Sequence, residues 1–150
     1  MSECVTVKSS VLFALIDELF KQDKHVTIAA CGTSMYPFIR DGIDSIELRR
    51  GRYEEITRGD IALVLRKSGE YVLHRVIRKS ADEFYIIGDN QNWIEGPLVP
   101  EQFIAVATSI FRKHRKIHCG SLLWRFMSHI WLGLIPYRGK INRVLSLAGF

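Results

Sequence analysis

The sequence predicts a mainly β domain: a bent, barrel-like antiparallel sheet with an amphipathic helix before it and a basic helical tail after it. Three observations carry this expectation. Between residues 26 and 111, short runs rich in β-branched and aromatic residues recur, divided by Gly, Asp and Asn turn signals. Residues 9–22 show the three- and four-residue spacing of an apolar helix face. Beyond them the acids stop: residues 102–150 hold 8 basic and no acidic side chains (net +8), whereas residues 1–101 hold 13 basic and all 16 acidic ones (net −3).

Taken in order, Leu12, Phe13, Ile16, Leu19 and Phe20 form the helix stripe, Ser9 or Ser10 can cap it, and Asp17, Glu18 and Lys21 lie on its other side. Such a face either packs on the domain or lies on a membrane or partner. Strands are expected at 26–30, 45–48, 61–65, 71–77, 84–87 and 103–111. Lys67-Ser68-Gly69-Glu70 reads as a hairpin turn that sets the third and fourth runs antiparallel. A basic stretch, 112–116, then leads into a helix at 122–135. The chain divides as an N-terminal helix (1–24), a β domain (25–112) and a basic helical tail (113–150).

A chain of 150 residues, 47% hydrophobic and 25% charged, suits a single globular domain and excludes a disordered chain or a repeat array. Cys4, Cys31 and Cys119, odd in number and far apart, make no disulfide framework and point to a reducing compartment. Residues 11–16 are apolar but run at once into Asp17 and Glu18, so no export signal is read. The longest apolar stretch, 122–135, is interrupted by Arg125 and His129 and falls short of the ~20 residues of a spanning helix. The expected location is cytoplasmic or peripheral to a membrane. The charge asymmetry asks for an anionic partner, a membrane surface or nucleic acid.

Gly32-Thr33-Ser34-Met35-Tyr36-Pro37 follows a strand-like run and displays Ser34 at a tight turn. A serine becomes a nucleophile when a base takes its proton, and the base candidate is His74, within the run 71–77. Strand alternation puts Val72, His74 and Val76 on one face and Leu73, Arg75 and Ile77 on the other. Asp89, in Gly88-Asp89-Asn90, and Glu95 are the nearby acids. His114, His118 and Cys119 have a helical i, i+4 spacing with no carboxylate beside them, so no metal or cofactor is called for.

The ordered boxes Gly-x-Ser-Met-x-Pro, Gly59-Asp60-Ile61, His74-Arg75-Val76-Ile77 and Gly88-Asp89-Asn90 resemble those of the signal peptidase I superfamily, the S24/S26-type serine peptidases. The resemblance spans roughly residues 30–110. It implies a serine endopeptidase acting on a peptide or protein precursor with a leader or signal-like segment. Ser34 is then the nucleophile and His74 the general base, as in the archaeal and endoplasmic-reticulum form; the common bacterial form has lysine there. The orienting acid falls first on Asp89, with Glu95 as the alternative and pairing with Arg75 as the other reading of Asp89. The oxyanion would be met by the Ser34 N–H with a neighbouring N–H or the Thr33 hydroxyl.

The family's N-terminal spanning helix has no counterpart in these residues. Residues 121–135 supply a wide apolar surface and a narrow stripe of Ser121, Arg125, Ser128 and His129, the pattern of an in-plane interfacial helix. The alternative is a helix packed on the β domain or on a second copy. Two further functions compete: a self-cleaving repressor-type domain, whose usual lysine base and helix-turn-helix are not matched here, and a non-catalytic membrane adaptor with the same fold. Nucleic acid is the less favoured partner, because the basic run has few aromatics.

Overall fold

Alternation along the β-rich runs sends side chains to two faces, and both are covered. The computed structural model describes residues 9–149, with side chains from Phe13 onward; Cys4, the Ser9 or Ser10 cap and the Leu12 contacts lie outside what is described. Helix α1 (Ser9–Lys21) precedes strands β1 (Val26–Ala29), β2 (Asp44–Arg50), β3 (Ile61–Leu65), β4 (Tyr71–Lys79), β5 (Phe84–Ile87), β6 (Glu95–Leu98), β7 (Phe103–Arg112) and β8 (Arg115–His118). Ile16 and Phe20 of α1 join Met35, Ile39, Leu48, Leu63 and Trp124 in a core on one face. Ala62, Val64, Val76, Phe84 and Ile86 form the core on the other. Each fully buried Val, Leu, Ile, Phe or Met side chain among them contributes roughly 1.5–3 kcal/mol.

The strands pair antiparallel in the order β1-β2-β7-β3-β4-β5-β6, with β8 on β7. The expected β3–β4 hairpin is present, with Ala62 opposite His74. The barrel-like closure is not. β1 and β6 stand at opposite ends of the order and do not pair, so the sheet is open, although irregularities at 47/48, 63/64, 76/78 and 84/86 bend it. Both end strands have only four residues, and β6 contains Pro97, which has no N–H to offer a further strand.

The segment 113–150 is not helical throughout. β8 extends the sheet, with Ile117 against the core and Lys116 Nζ 3.3 Å from Glu47. His114 and His118 therefore sit in a turn and a strand, and their helical metal-ligand spacing does not exist. Helix α2 (Leu122–Gly133) and helix α3 (Arg138–Leu147) follow, joined through a short turn at 135–137. On α2 the buried residues are Trp124, Ser128, Trp131 and Leu132, while Leu122, Leu123, Phe126, Met127 and Ile130 are exposed. One arc of α2 is docked on the domain and a second, apolar arc is not. Ser128, expected in a polar outer stripe, faces inward. No helix among the described residues is long and apolar enough to cross a membrane.

Candidate active site

Ser34 lies in the loop between β1 and β2. Buried Met35 and Ile39 anchor that loop in the core, and Ile39 N–H donates to Met35 O at 2.9 Å. The loop ends are tied by Gly32 N–H to Asp41 Oδ1 (3.1 Å) and Arg40 N–H to Asp44 Oδ2 (2.8 Å). The Tyr36–Pro37 peptide is cis. Ser34 itself is half-buried and Thr33 is exposed. The Ser34 carbonyl accepts from Asn90 N–H at 2.8 Å, joining this loop to the turn that ends β5. That approach needs glycine at 88: a Cβ there would stand 2.7 Å from Ser34 O and 2.6 Å from Gln91 Oε1.

His74 is 2% exposed in the middle of β4. Its Nδ1 is buried without a hydrogen-bond partner, and Glu95 Oε2 lies 3.9 Å away. Burial holds the His74 pKa below the usual histidine value, with Arg66 acting in the same direction and Glu95 and Asp89 opposing. The ring is therefore neutral at pH 7. Glu95 is held in turn by Arg66, whose Nε and Nη2 each donate at 2.7 Å. Among the described residues no hydrogen bond joins the Ser34 hydroxyl to the ring.

Asp89, the acid first expected to orient His74, is given to Arg75 instead. Arg75 Nε and Nη2 donate to its two carboxylate oxygens at 2.8 and 2.6 Å, and both side chains are fully buried. Strand parity explains the exchange. Directly paired residues share a face of a sheet, and residues two apart along a strand do too. Ile87 opposes Arg75, so Asp89, two residues on, continues toward the Arg75 face; Ile86 opposes both Val76 and Glu95, which places Glu95 on the face of His74. The alternative acid is thus the one beside the imidazole.

The Arg75 face is closed by the chain beyond β8. Arg75 Nη1 donates to Ser128 Oγ (2.7 Å) and Gly59 O (2.8 Å), and the guanidinium stacks over Phe38 and Trp124 at 4.7 and 5.8 Å. Gly59, at φ +98°, turns the chain against α2, where a Cβ would stand 3.4 Å from the His129 ring. Trp131 Nε1–H donates to Asp89 O at 3.2 Å, and buried Arg138 donates to Gly88 O and twice to Trp131 O at 3.0–3.2 Å. Asn142 Nδ2–H donates to Asn90 Oδ1 at 2.6 Å. None of Arg66, Ser128, Arg138 and Asn142 reads in the sequence as part of the site; Ser128 is expected there in an outer polar stripe. The one legible signal was that neighbours such as His74 and Arg75 on a strand must serve opposite faces.

Among the described residues no group of three or more His, Cys, Asp and Glu is placed to hold a metal ion. Burial pushes the Cys119 thiol up to about 12, so it is no thiolate nucleophile at neutral pH.

Among the described residues, an open, bent antiparallel sheet of eight strands with three helices defines a mainly β domain. The Peptidase S24-like family model matches residues 3–110, more than two thirds of the chain, and the chain belongs to that family. No curated protein matches it. β8, α2 and α3 lie beyond the match.

Proposed function

We propose that this S24-family domain is a serine endopeptidase resembling signal peptidase, in which Ser34 attacks the peptide carbonyl and His74 is the general base. The observation that carries the reading is the unpartnered Nδ1 of His74 with Glu95 on the same sheet face at 3.9 Å. Glu95 replaces Asp89 as the orienting acid: a small movement away from Arg66 brings it onto Nδ1–H, fixing the tautomer whose Nε2 takes the Ser34 proton. The proton then passes to the leaving amine. Bound substrate draws the hydroxyl and the ring together, and the Ser34 N–H with Thr33 meets the oxyanion.

An apolar cleft of ≈370 Å³ lies between Pro37 and Phe38 of the serine loop and Leu123, Trp124 and Met127 of α2. It offers an apolar stretch of a leader-like substrate a surface beside the nucleophile loop. The exposed arc of α2, flanked by cations and free of acids, supports peripheral contact with an anionic bilayer through residues 121–135.

Ser34→Ala and wild type, incubated with a proteome-derived precursor library and read by N-terminal sequencing of the products, test the catalytic claim. New N-termini in the wild-type sample alone are expected; identical product sets would sink it. The family match also accommodates self-cleavage, which intact-mass measurement of the incubated wild type separates from cleavage in trans. Flotation with anionic vesicles tests the bilayer contact. Truncation would uncover the core that Trp124 and Trp131 fill, so the comparison is Leu123→Gln/Phe126→Gln in the full chain. Equal flotation of variant and wild type would remove the membrane role.

A further inference from the structure

Each residue of the Gly88–Asn90 turn is gripped by the chain beyond the family match. Arg138 takes the Gly88 carbonyl, Trp131 takes the Asp89 carbonyl, Ser128 holds the arginine that holds the Asp89 carboxylate, and Asn142 takes the Asn90 side chain. The same turn carries the serine loop, through Asn90 N–H to Ser34 O at 2.8 Å and through the close contact at Gly88. Phe38 of that loop also packs against Trp124 and Trp131, with ring centroids 5.3 and 5.6 Å apart.

The chemistry of this grip is costly for a purely structural contact. Arg138 is fully buried, and its bonded acceptors are backbone carbonyls rather than a carboxylate. Asn142 Oδ1 is buried with no partner. A hydrocarbon side chain would fill either place with less desolvation penalty. What it could not do is fix the direction of the turn, because apolar packing is non-directional and hydrogen bonds are not.

We infer that α2 and α3 form a positioning brace for the nucleophile loop, with Arg138 and Asn142 as positioning residues that act on Ser34 through the Gly88–Asn90 turn. The inference rests on the peptidase reading for its catalytic consequence but not for its structural one. A displacement of about 1 Å at a nucleophile can cost on the order of a hundredfold in rate, so a brace at this distance has leverage.

The test uses two full-length variants, Arg138→Met and Asn142→Leu, each replacing a polar grip by an apolar, unbranched or near-isosteric side chain. Three quantities are measured: the urea midpoint, kcat and KM on a peptide whose cleavage depends on Ser34, and hydrogen exchange at the Asn90 amide without substrate. The expected result is a midpoint equal to or above wild type, kcat lowered about tenfold or more with KM within about threefold, and faster exchange at Asn90. Arg138→Lys should recover part of kcat. If the Asn90 amide stays protected in both variants, the brace is wrong whatever the kinetics. Faster exchange with unchanged kcat also overturns the positioning role. Should Arg138→Met fail to fold, Asn142→Leu carries the same readouts. Faster exchange in a protein with no Ser34-dependent cleavage would leave the brace standing and remove the peptidase reading instead.

Discussion

The two faces of β4 at residues 74 and 75 are a single peptide bond apart and differ in almost every respect. On one, His74 is buried with an unmet Nδ1, and the nearest carboxylate is committed to Arg66. On the other, every guanidinium nitrogen of Arg75 has a partner among Asp89, Ser128 and Gly59, under an aromatic lid. The first face is chemically unfinished and the second is closed. A strand can hold an unpartnered side chain in place because the residue beside it is firmly bonded. Openness and rigidity are thereby divided between neighbours.

The largest effect expected from breaking this contrast is on stability. Asp89→Asn removes one partner of a fully buried ion pair, for which a loss of about 3–5 kcal/mol is expected. Glu95→Gln removes an acid from a partly solvated pair with Arg66, and its loss should stay at or below about 1 kcal/mol. Urea unfolding of both variants measures the difference. The double change Arg75→Met/Asp89→Leu should regain much of what Asp89→Asn loses, since it leaves no unpaired charge. Equal losses in the two single variants would erase the division between faces.

Activity should rank the same residues the other way round. Glu95→Gln is expected to lower kcat on the order of 10²–10⁴-fold with KM little changed, because an amide, which can donate as well as accept, no longer dictates the imidazole tautomer as the carboxylate does. The pH profile sharpens the point. Glu95 raises the His74 pKa and Arg66 lowers it, so the acid limb of kcat/KM should move to lower pH in Glu95→Gln and to higher pH in Arg66→Gln. Limbs that coincide in both variants would take Glu95 out of the site.

The strands at β1–β5 and β7, the β3–β4 hairpin and α1 were legible in the sequence, because alternation and turn chemistry are local. β6 was not, since Glu95-Gly96-Pro97-Leu98 carries the composition of a turn. The choice between Asp89 and Glu95 was hidden for a different reason. It depends on which residues of β5 oppose Arg75 and Val76, and register is a property of paired strands that neither run shows alone. The tail shows a third kind of limit. Hydropathy finds the apolar arcs of α2 but does not say which one docks, and the inward-facing polar side chains of Ser128, Arg138 and Asn142 look in sequence like an ordinary solvated face.

The smallest expected effect concerns what the unfinished face costs the fold. Burial lowers the His74 pKa below its ordinary 6.5, so the unfolded chain binds a proton more readily than the native one as pH falls. The stabilising preference for the neutral ring is fully present above pH 6.5 and is lost as pH drops from there toward the depressed native value. Glu95 and Arg66 on the ring's own face, and Asp89 on the other face of the strand, leave burial as the dominant influence. One group can contribute no more than about 1.4 kcal/mol per pH unit, and the opposing carboxylates reduce this. Unfolding free energies of wild type and His74→Gln, measured at intervals from pH 7.5 to pH 5, should therefore converge as the pH falls, because the variant has no proton to gain. A constant gap would mean that the ring titrates alike in both states, and that the face of Glu95 is already as well satisfied as the face of Asp89.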